Sequence, residues 1–446
     1  MEKVDEENIE PYGVVVLTDC FCSKRAVEID ELCRKGKTPK SFIWGATCGV
    51  STLLFSDFGP KHVVTDTTGE NPELFLIQGV VSNEGKKTAQ VVIVEEGNPD
   101  FDVGDYIKFI CVEEGSMVEL NSLEPVKVVD KQGKFSIEVE VDVSGFHPFV
   151  NSAYIEKVKM PRTMEFTTLA ERIAKPGEIQ QTNFCDWGRE MQLFAAFMTL
   201  GKFMEGHEGK RPRPHNKEDA EEFKKLFVEF EKEHGIDAPS NEDFAIVFAM
   251  TSKGMLPAFA TYLGGILCQE ALKACSGKYT PVFQWMFYDD VDILPKDFVN
   301  LPEEEFCCEE CAFSDQVNVI GKNLQRGIQN KKIFFVGAGA IGCEVLKTIG
   351  MMGVGSGPDS LVHLTEMDVI KCSNLARQFL FRSGDVGKLK SETAVGPDTE
   401  DLFSKQFWTI SKHLLMSMES VFPHRSLFWT LERLDQRVTH GMSFRL

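Results

Sequence analysis

Residues 336–347 read VGAGAIGCEVLK, and Gly337, Gly339 and Gly342 stand at the spacing GxGxxG. Glycines so spaced serve a phosphate lying against backbone. The first permits a tight turn, the second lets phosphate approach the chain, and the third lets a helix pack closely on a strand. The helix that follows adds unpaired N–H groups and a positive partial charge. An acid about 20 residues on should hold a ribose, and Glu366 and Asp368 are placed for it. To this point NAD and ATP fit equally. The next residues separate them. SNLARQFLFR (373–382) and KLKS (388–391) supply Asn374, Arg377 and Lys390. A hydride-transfer enzyme has no need of these groups beyond its ribose acid. An enzyme that directs attack at the α-phosphate of ATP does. Negative charge grows on phosphorus and on the leaving pyrophosphate, and fixed cations offset it where it forms. Arg offers a fork of donors and Lys a point charge. A nicotinamide-dependent oxidoreductase stays as the rival, since it requires only the glycines and the acid.

The surrounding pattern positions these residues. KKIFFVG reads as a strand, GAGAIG as the turn, AIGCEVLKTIGMMG as a helix with Ile341, Val345 and Ile349 on one side, and LVHLTEMD (361–368) as the next strand. This is a Rossmann-type βαβ start. Near the amino terminus, GVVVLTD (13–19) reads as a buried strand of parallel type, and FIWGATCGVSTLLFSDFG (43–60) continues in strand-like segments. Between them and the βαβ start lie two other textures. AQVVIVEE, DYIKFICVEE, EPVKVVD and KFSIEVEVDV form a β-rich, barrel-like module over 75–160, with a hairpin turn at VDKQGKF. Residues 165–235 read as helical: Phe223, Leu226, Phe227 and Phe230 share a helix face that a glycine closes. EGHEGKRPRPHNKED (205–219) reads as a solvated loop. In 243–292 the α/β pattern returns, with FAIVFAM buried and Gly264 and Gly265 letting a helix approach a neighbour.

Composition narrows the class. The chain has 446 residues, 43% hydrophobic and 26% charged, with a formal net charge of -20. An acidic balance argues against nucleic acid as the main partner. The amino terminus is acidic and polar, unlike a signal peptide, and the best apolar run, 256–272, is too short to span a membrane. Thirteen scattered cysteines read as reduced thiols in a cytoplasmic or nuclear protein. FCCEEC (306–311) has no second pair of ligands, so Cys307, Cys308 and Cys311 read as a loop and no metal ligand is assigned.

At GAGAIGCE, EMD, SNLARQFLFR and KLKS the chain resembles the ubiquitin-activating enzymes of the ThiF/MoeB type. DTTGENP, RPRPHNKEDA, GGILCQEALKACSGKYTPVFQW and the β module extend the resemblance over about residues 10–408. It implies an α/β protein of Rossmann-like adenylation folds, with an inserted small β-barrel and a four-helix bundle. The implied divisions are 1–72, the end of the first segment of an inactive adenylation domain; 73–160, the first catalytic-cysteine half-domain; 161–238, the four-helix bundle; 239–300, the rest of the inactive domain; 310–408, the start of an active adenylation domain; and 409–446, a tail unlike any of these. The implied chemistry is adenylation of the ubiquitin C-terminus by ATP and Mg2+. Transfer to a cysteine as a thioester follows, and then passage to a ubiquitin-conjugating enzyme. By position, Gly337, Ala338, Gly339, Ala340 and Gly342 would cradle the nucleotide, with Ala340 on the adenine side. Glu366 and Asp368 would stand at the ribose end, and Asn374, Arg377 and Lys390 would serve the phosphates, the last two as catalytic groups.

There are departures from the family pattern. Glu366 stands where the family usually has Asp, and Ala376 where it has Asn or Gln. No cysteine here is followed by Thr, the setting of the family's nucleophile, so none is assigned. The DNV-type motif with its Mg-binding Asp, the C-terminal ubiquitin-fold domain, and the first half of the inactive domain with its ATP-contacting Arg are also missing. The expectation is therefore a protein truncated at both ends and inactive as written, with a non-catalytic fragment that binds ubiquitin or a partner as the second rival beside the oxidoreductase. The tail carries a second reading: with suitable synonymous codons, RSLFWTLERLDQRVT (425–439) read two bases later encodes KPLLDSGTLGPKGN. That stretch resembles the family's sequence just after its Mg-binding Asp, which makes 409–446 an expected out-of-frame segment.

Overall fold

The structure is a computed structural model that describes residues 4–395, apart from 19, 36–37, 84, 96–98, 111, 114, 184–185, 237–240 and 309. The tail readings at 396–446 lie outside the described residues. In chain order the strands are β1 (Val14–Thr18), β2 (Ser41–Cys48), β3 (Ser51–Asp57), β4 (His62–Val64), β5 (Leu74–Ser82), β6 (Ala89–Ile93), β7 (Tyr106–Ile110), β8 (Val126–Lys131), β9 (Ser136–Val139), β10 (Ala153–Val158), β11 (Arg162–Met164), β12 (Gln284–Asp289), β13 (Lys332–Val336) and β14 (Leu361–Thr365). The helices are α1 (Glu6–Ile9), α2 (Ser23–Arg34), α3 (Leu169–Ala174), α4 (Arg189–Gly206), α5 (Lys217–Glu233), α6 (Glu242–Thr251), α7 (Pro257–Ser276), α8 (Ser314–Gln329), α9 (Ala340–Met351) and α10 (Lys390–Val395). The chain divides into two compact units, one of residues 60–165 with 273–281 and the other of the remainder.

The smaller unit is a closed barrel in the order β10-β5-β6-β9-β8-β7, every pairing antiparallel, with β7 returning to β10. Alternation in the sequence builds it. Ala89, Val91 and Ile93, then Ile107 and Phe109, then Ile137 and Val139, each point inward and are buried. Closure removes the sheet edges that such apolar strands would otherwise expose. The VDKQGKF turn joins β8 to β9 through Gly133 at φ 93°.

In the larger unit β1, β2, β3 and β12 form one sheet in that order, β1 parallel to β2 and the others antiparallel. GVVVLTD is thus a parallel strand as read, but it is half-buried rather than buried, because it forms the sheet edge. Helices α4, α5 and α6 pack on one another, and α4 lies on β3 and β12. Caps set their starts: the Asn216 side chain accepts from Asp219 N, and the Asn241 side chain from Phe244 N. Phe223, Phe227 and Phe230 of α5 are buried, and Gly235 follows the helix at φ 60°. Phe194, Phe197 and Phe227 share one core with Trp44, Phe55 and Trp285 of the sheet.

Trp285 is fully buried, 4.6 Å from the Phe55 ring and 5.5 Å from that of Phe194. Trp285→Ala is expected to destabilise this unit by about 3–5 kcal/mol, read as a lower urea midpoint.

Two readings are corrected. The loop before α5 is not solvated at its end: Pro212, Pro214, His215 and Asn216 are buried. The His215 ring stacks 4.2 Å from Phe306, and its Nε2 lies 2.6 Å from the Phe298 carbonyl oxygen. The polar letters hid a loop that seals a core. Gly264 and Gly265 do not admit a close neighbour either, since a Cβ at either position would meet nothing within 4 Å. Among the described residues no helix is long and apolar enough to cross a membrane.

Candidate functional site

The candidate site is built on the parallel pair β13–β14. Phe335 pairs with Leu364 and Val336 with Thr365, which brings the two carboxyl ends side by side. The turn from β13 to α9 leaves there. Gly337 takes φ 100° and its N–H donates to the Thr365 carbonyl oxygen at 2.9 Å. That left-handed backbone favours glycine. A Cβ on Gly342 would lie 2.4 Å from the Gly337 carbonyl oxygen. The third glycine is therefore required by helix-on-turn packing. Around Gly337 and Gly339 the opposite holds: nothing lies within 4 Å of an added Cβ, so the turn has open space on the side where a ligand would approach. Ala340 opens α9 behind Gly339, its N-cap, which provides no side-chain cap. The first N–H groups of this helix thus have no capping side chain.

Beneath the turn, Ala338, Cys343, Ile370 and Phe381 form a small buried cluster. Burial pushes the Cys343 thiol up to about 11, which marks it as packing rather than a nucleophile. Burial likewise pushes Cys33 and Cys48 up to about 12.

The acids sit at the end of β14. The Glu366 carboxylate accepts from Ala338 N–H at 3.0 Å and from Asp368 N–H at 3.1 Å. Those two backbone donors, Ala338 first, hold its carboxyl below the usual range. Asp368 Oδ2 lies 3.0 Å from Lys390 Nζ, and this hydrogen bond likewise lowers the Asp368 carboxyl. Lys390 is buried although the Asp368 side chain is largely exposed. Its backbone N–H donates to the Asp368 carbonyl oxygen at 3.0 Å, which fixes the start of α10 against the end of β14. Eight of the expected residues are therefore brought together: Gly337, Ala338, Gly339, Ala340, Gly342, Glu366, Asp368 and Lys390.

The other cationic segment is arranged differently. Asn374 is buried, and its Oδ1 accepts from Lys371 N–H at 2.9 Å. Arg377 is exposed, its Nη1 donating to the Ser373 carbonyl oxygen at 2.9 Å. Two residues that sequence reasoning passed over belong here. Ser391 Oγ donates to the Glu366 carbonyl oxygen at 2.8 Å. Gln378 is buried, and its Oε1 has no hydrogen-bond partner. Both lie inside quoted motifs, ARQF and KLKS, but only the fold shows what they touch.

The donor set fits a nucleotide phosphate chain: open backbone at two glycines, an uncapped helix start, an ammonium and an exposed guanidinium. Among the described residues no group of three or more His, Cys, Asp or Glu could hold a metal ion.

The ThiF family matches residues 313–396, the stretch that holds every candidate site residue. The ubiquitin-activating enzyme E1 four-helix bundle matches residues 160–231. The chain is 36% identical over 439 residues to ubiquitin-like modifier-activating enzyme 1 of Dictyostelium discoideum, covering 94% of this chain and 42% of that protein. It is 34% identical to ubiquitin-activating enzyme E1 2 of Arabidopsis thaliana, covering 91% and 39% respectively. The human ubiquitin-like modifier-activating enzyme 1 is also 34% identical, covering 90% and 39%. The chain thus spans about two-fifths of the length of these curated relatives.

Proposed function

We infer, from the premise that this chain belongs to the ubiquitin-activating enzyme family, that residues 332–395 form the nucleotide site of an ATP-dependent adenylation. The substrate class is the C-terminal carboxylate of ubiquitin or a ubiquitin-like modifier. The observation that carries this reading is the convergence of the open glycine turn, the Glu366 carboxylate and the buried Lys390 ammonium at the ends of two parallel strands. ATP with Mg2+, when bound, supplies the α-phosphate that the modifier's carboxylate attacks.

The chain's own groups then have definite tasks. Backbone N–H groups at the start of α9 receive phosphate oxygens. Ala340 flanks the adenine side. Glu366 accepts ribose hydroxyls, with Asp368 beside it. Lys390 offsets charge as it grows on the phosphates, and so does Arg377 from the exposed segment that Asn374 anchors. For a cation beyond its ribose acid a nicotinamide enzyme has no use, so Lys390 favours ATP over the oxidoreductase reading.

The thioester step is assigned to no residue. The family pattern, Cys before Thr, occurs nowhere in the sequence, and the buried thiols are held protonated. We therefore propose that this chain binds ATP and forms no thioester. A modifier and its conjugating enzymes are the proposed partners of the complete family architecture, in cytoplasm and nucleus.

The test is calorimetric titration of the full chain with ATP and with NAD, followed by modifier-dependent pyrophosphate exchange. Binding of ATP and not NAD is expected. Binding of NAD alone would reverse the assignment. Lys390→Met is expected to weaken ATP by about 10–100-fold, the loss of a charge-assisted phosphate contact.

A further inference from the structure

We propose that Glu366, besides facing the ribose, is the brace that holds the phosphate-binding turn in its binding shape. This rests on the nucleotide reading of the site and adds a role to it. One residue joins the elements that carry the site. Its Oε2 takes the Ala338 N–H of the glycine turn, and its Oε1 takes the Asp368 N–H past the end of β14. Its own carbonyl oxygen takes the Ser391 hydroxyl of α10, the helix that begins at Lys390.

The turn needs such a brace. Gly337 and Gly339 have no side chains, and the space around them is open. The described backbone bond at the start of the turn is from Gly337 N–H to Thr365. Ala338 is fully buried, so its N–H without an acceptor would carry a desolvation cost. Glu is one methylene longer than the Asp that the family resemblance leads one to expect. In this chain the longer acid spans from β14 to Ala338. The substitution noted in the sequence thus becomes a device: the carboxylate that accepts ribose also fixes the amides that face the phosphates.

The experiment separates bracing from ribose contact with 2′,3′-dideoxy-ATP, which has no ribose hydroxyls to offer. Glu366→Ala is expected to weaken this analogue about tenfold, the order of one buried hydrogen bond left unmade. An acid that serves only the ribose predicts unchanged or tighter binding of the analogue, since a negative charge near phosphate has been removed; that result would overturn the proposal. Glu366→Gln keeps an acceptor oxygen of the same reach and is expected to restore analogue binding to within about threefold of wild type. A Gln variant as weak as the Ala variant would also overturn it.

A second reading needs no variant and no ligand. The Ala338 amide of the wild-type chain should exchange with deuterium more slowly than an unbonded amide. Free exchange there would refute the brace even while ATP binding stood. Wild type that bound neither ATP nor the analogue would instead remove the nucleotide reading itself.

Discussion

Gly342→Ala is expected to abolish measurable ATP binding, a loss of at least about 100-fold, while leaving the β-barrel unit folded. The reason is steric and local. A methyl at this position would meet the Gly337 carbonyl oxygen at 2.4 Å and its carbonyl carbon at 3.1 Å. Both are backbone atoms, so no rotamer change relieves the contact. Gly337 cannot retreat easily, because it already sits at φ 100° and is tied to Thr365. Either α9 must lift from the turn or the turn must open, and both displace the N–H groups that face the ligand. A shift of about 1 Å in such groups is enough to cost two orders of magnitude.

Gly339→Ala is the informative partner. It has φ -78° and nothing within 4 Å of the added carbon, so the turn itself should tolerate it. Any loss of ATP affinity there reports the approach of ligand to backbone. Titration of both variants, with circular dichroism melting as the fold control, checks the pair. Wild-type affinity in Gly342→Ala would show that the phosphates do not lie on this turn.

The second large effect is on stability. Asp30→Asn is expected to stabilise the larger unit at pH 8, by up to about 5 kcal/mol, the linkage limit for a carboxyl raised from 3.8 to about 8, and to flatten its dependence on pH. Asp30 of α2 is fully buried, and Oδ2 accepts the Leu169 N–H at 2.7 Å. Its Oδ1 has no donor and stands beside the Asp57 carboxyl. Asp57 is gripped by Arg34 through two bonds, of 2.6 and 2.8 Å, and Asp30 has no such cation bound to it, so the proton belongs on Asp30. Burial first, and the neighbouring Asp57 second, raise the Asp30 carboxyl from 3.8 to about 8.

The sign follows from proton counts. Between about pH 4 and pH 8 the folded chain holds a proton on Asp30 that the unfolded chain has released. Stability therefore falls as pH rises through this window, by up to about 1.4 kcal/mol per unit. Below the unfolded value the contribution is fully present, and above pH 8 it is gone. Asn mimics the protonated acid, keeping the acceptor for Leu169 and a donor for Asp57, with no proton to lose. Urea unfolding of both proteins at pH 5, 7 and 8 is the measurement. Parallel curves with an unchanged slope would show that Asp30 is not the titrating group.

Period and punctuation made much of this molecule legible. Alternating Val, Ile and Phe specified barrel strands, because a period of two puts every second side chain on one face. The i, i+3, i+4, i+7 spacing of Phe223, Leu226, Phe227 and Phe230 specified a helix face for the same kind of reason. The glycine spacing, the acid after the second strand and the two cationic motifs pointed to the proposed nucleotide site, since what each residue can donate is a covalent fact. Contacts far apart in sequence were not legible. Polar RPRPHN read as solvent-facing, yet His215 stacks on Phe306, ninety-one positions away. Gly264 and Gly265 read as a packing surface and meet nothing. The helical region read as a texture of its own, and its phenylalanines complete the core of a sheet whose last strand comes after it.

The sequence by itself determined the elements, the barrel, the glycine turn and the chemical kinds present at the site, because each depends on local spacing or on side-chain type. The tertiary structure decided the partnerships: that Lys390 is buried against Asp368, that Asp30 must hold a proton beside Asp57, and that Glu366 reaches back to Ala338. Burial, and the free energy of a charge or an unmet hydrogen bond within it, are set by neighbours that only the folded chain brings together.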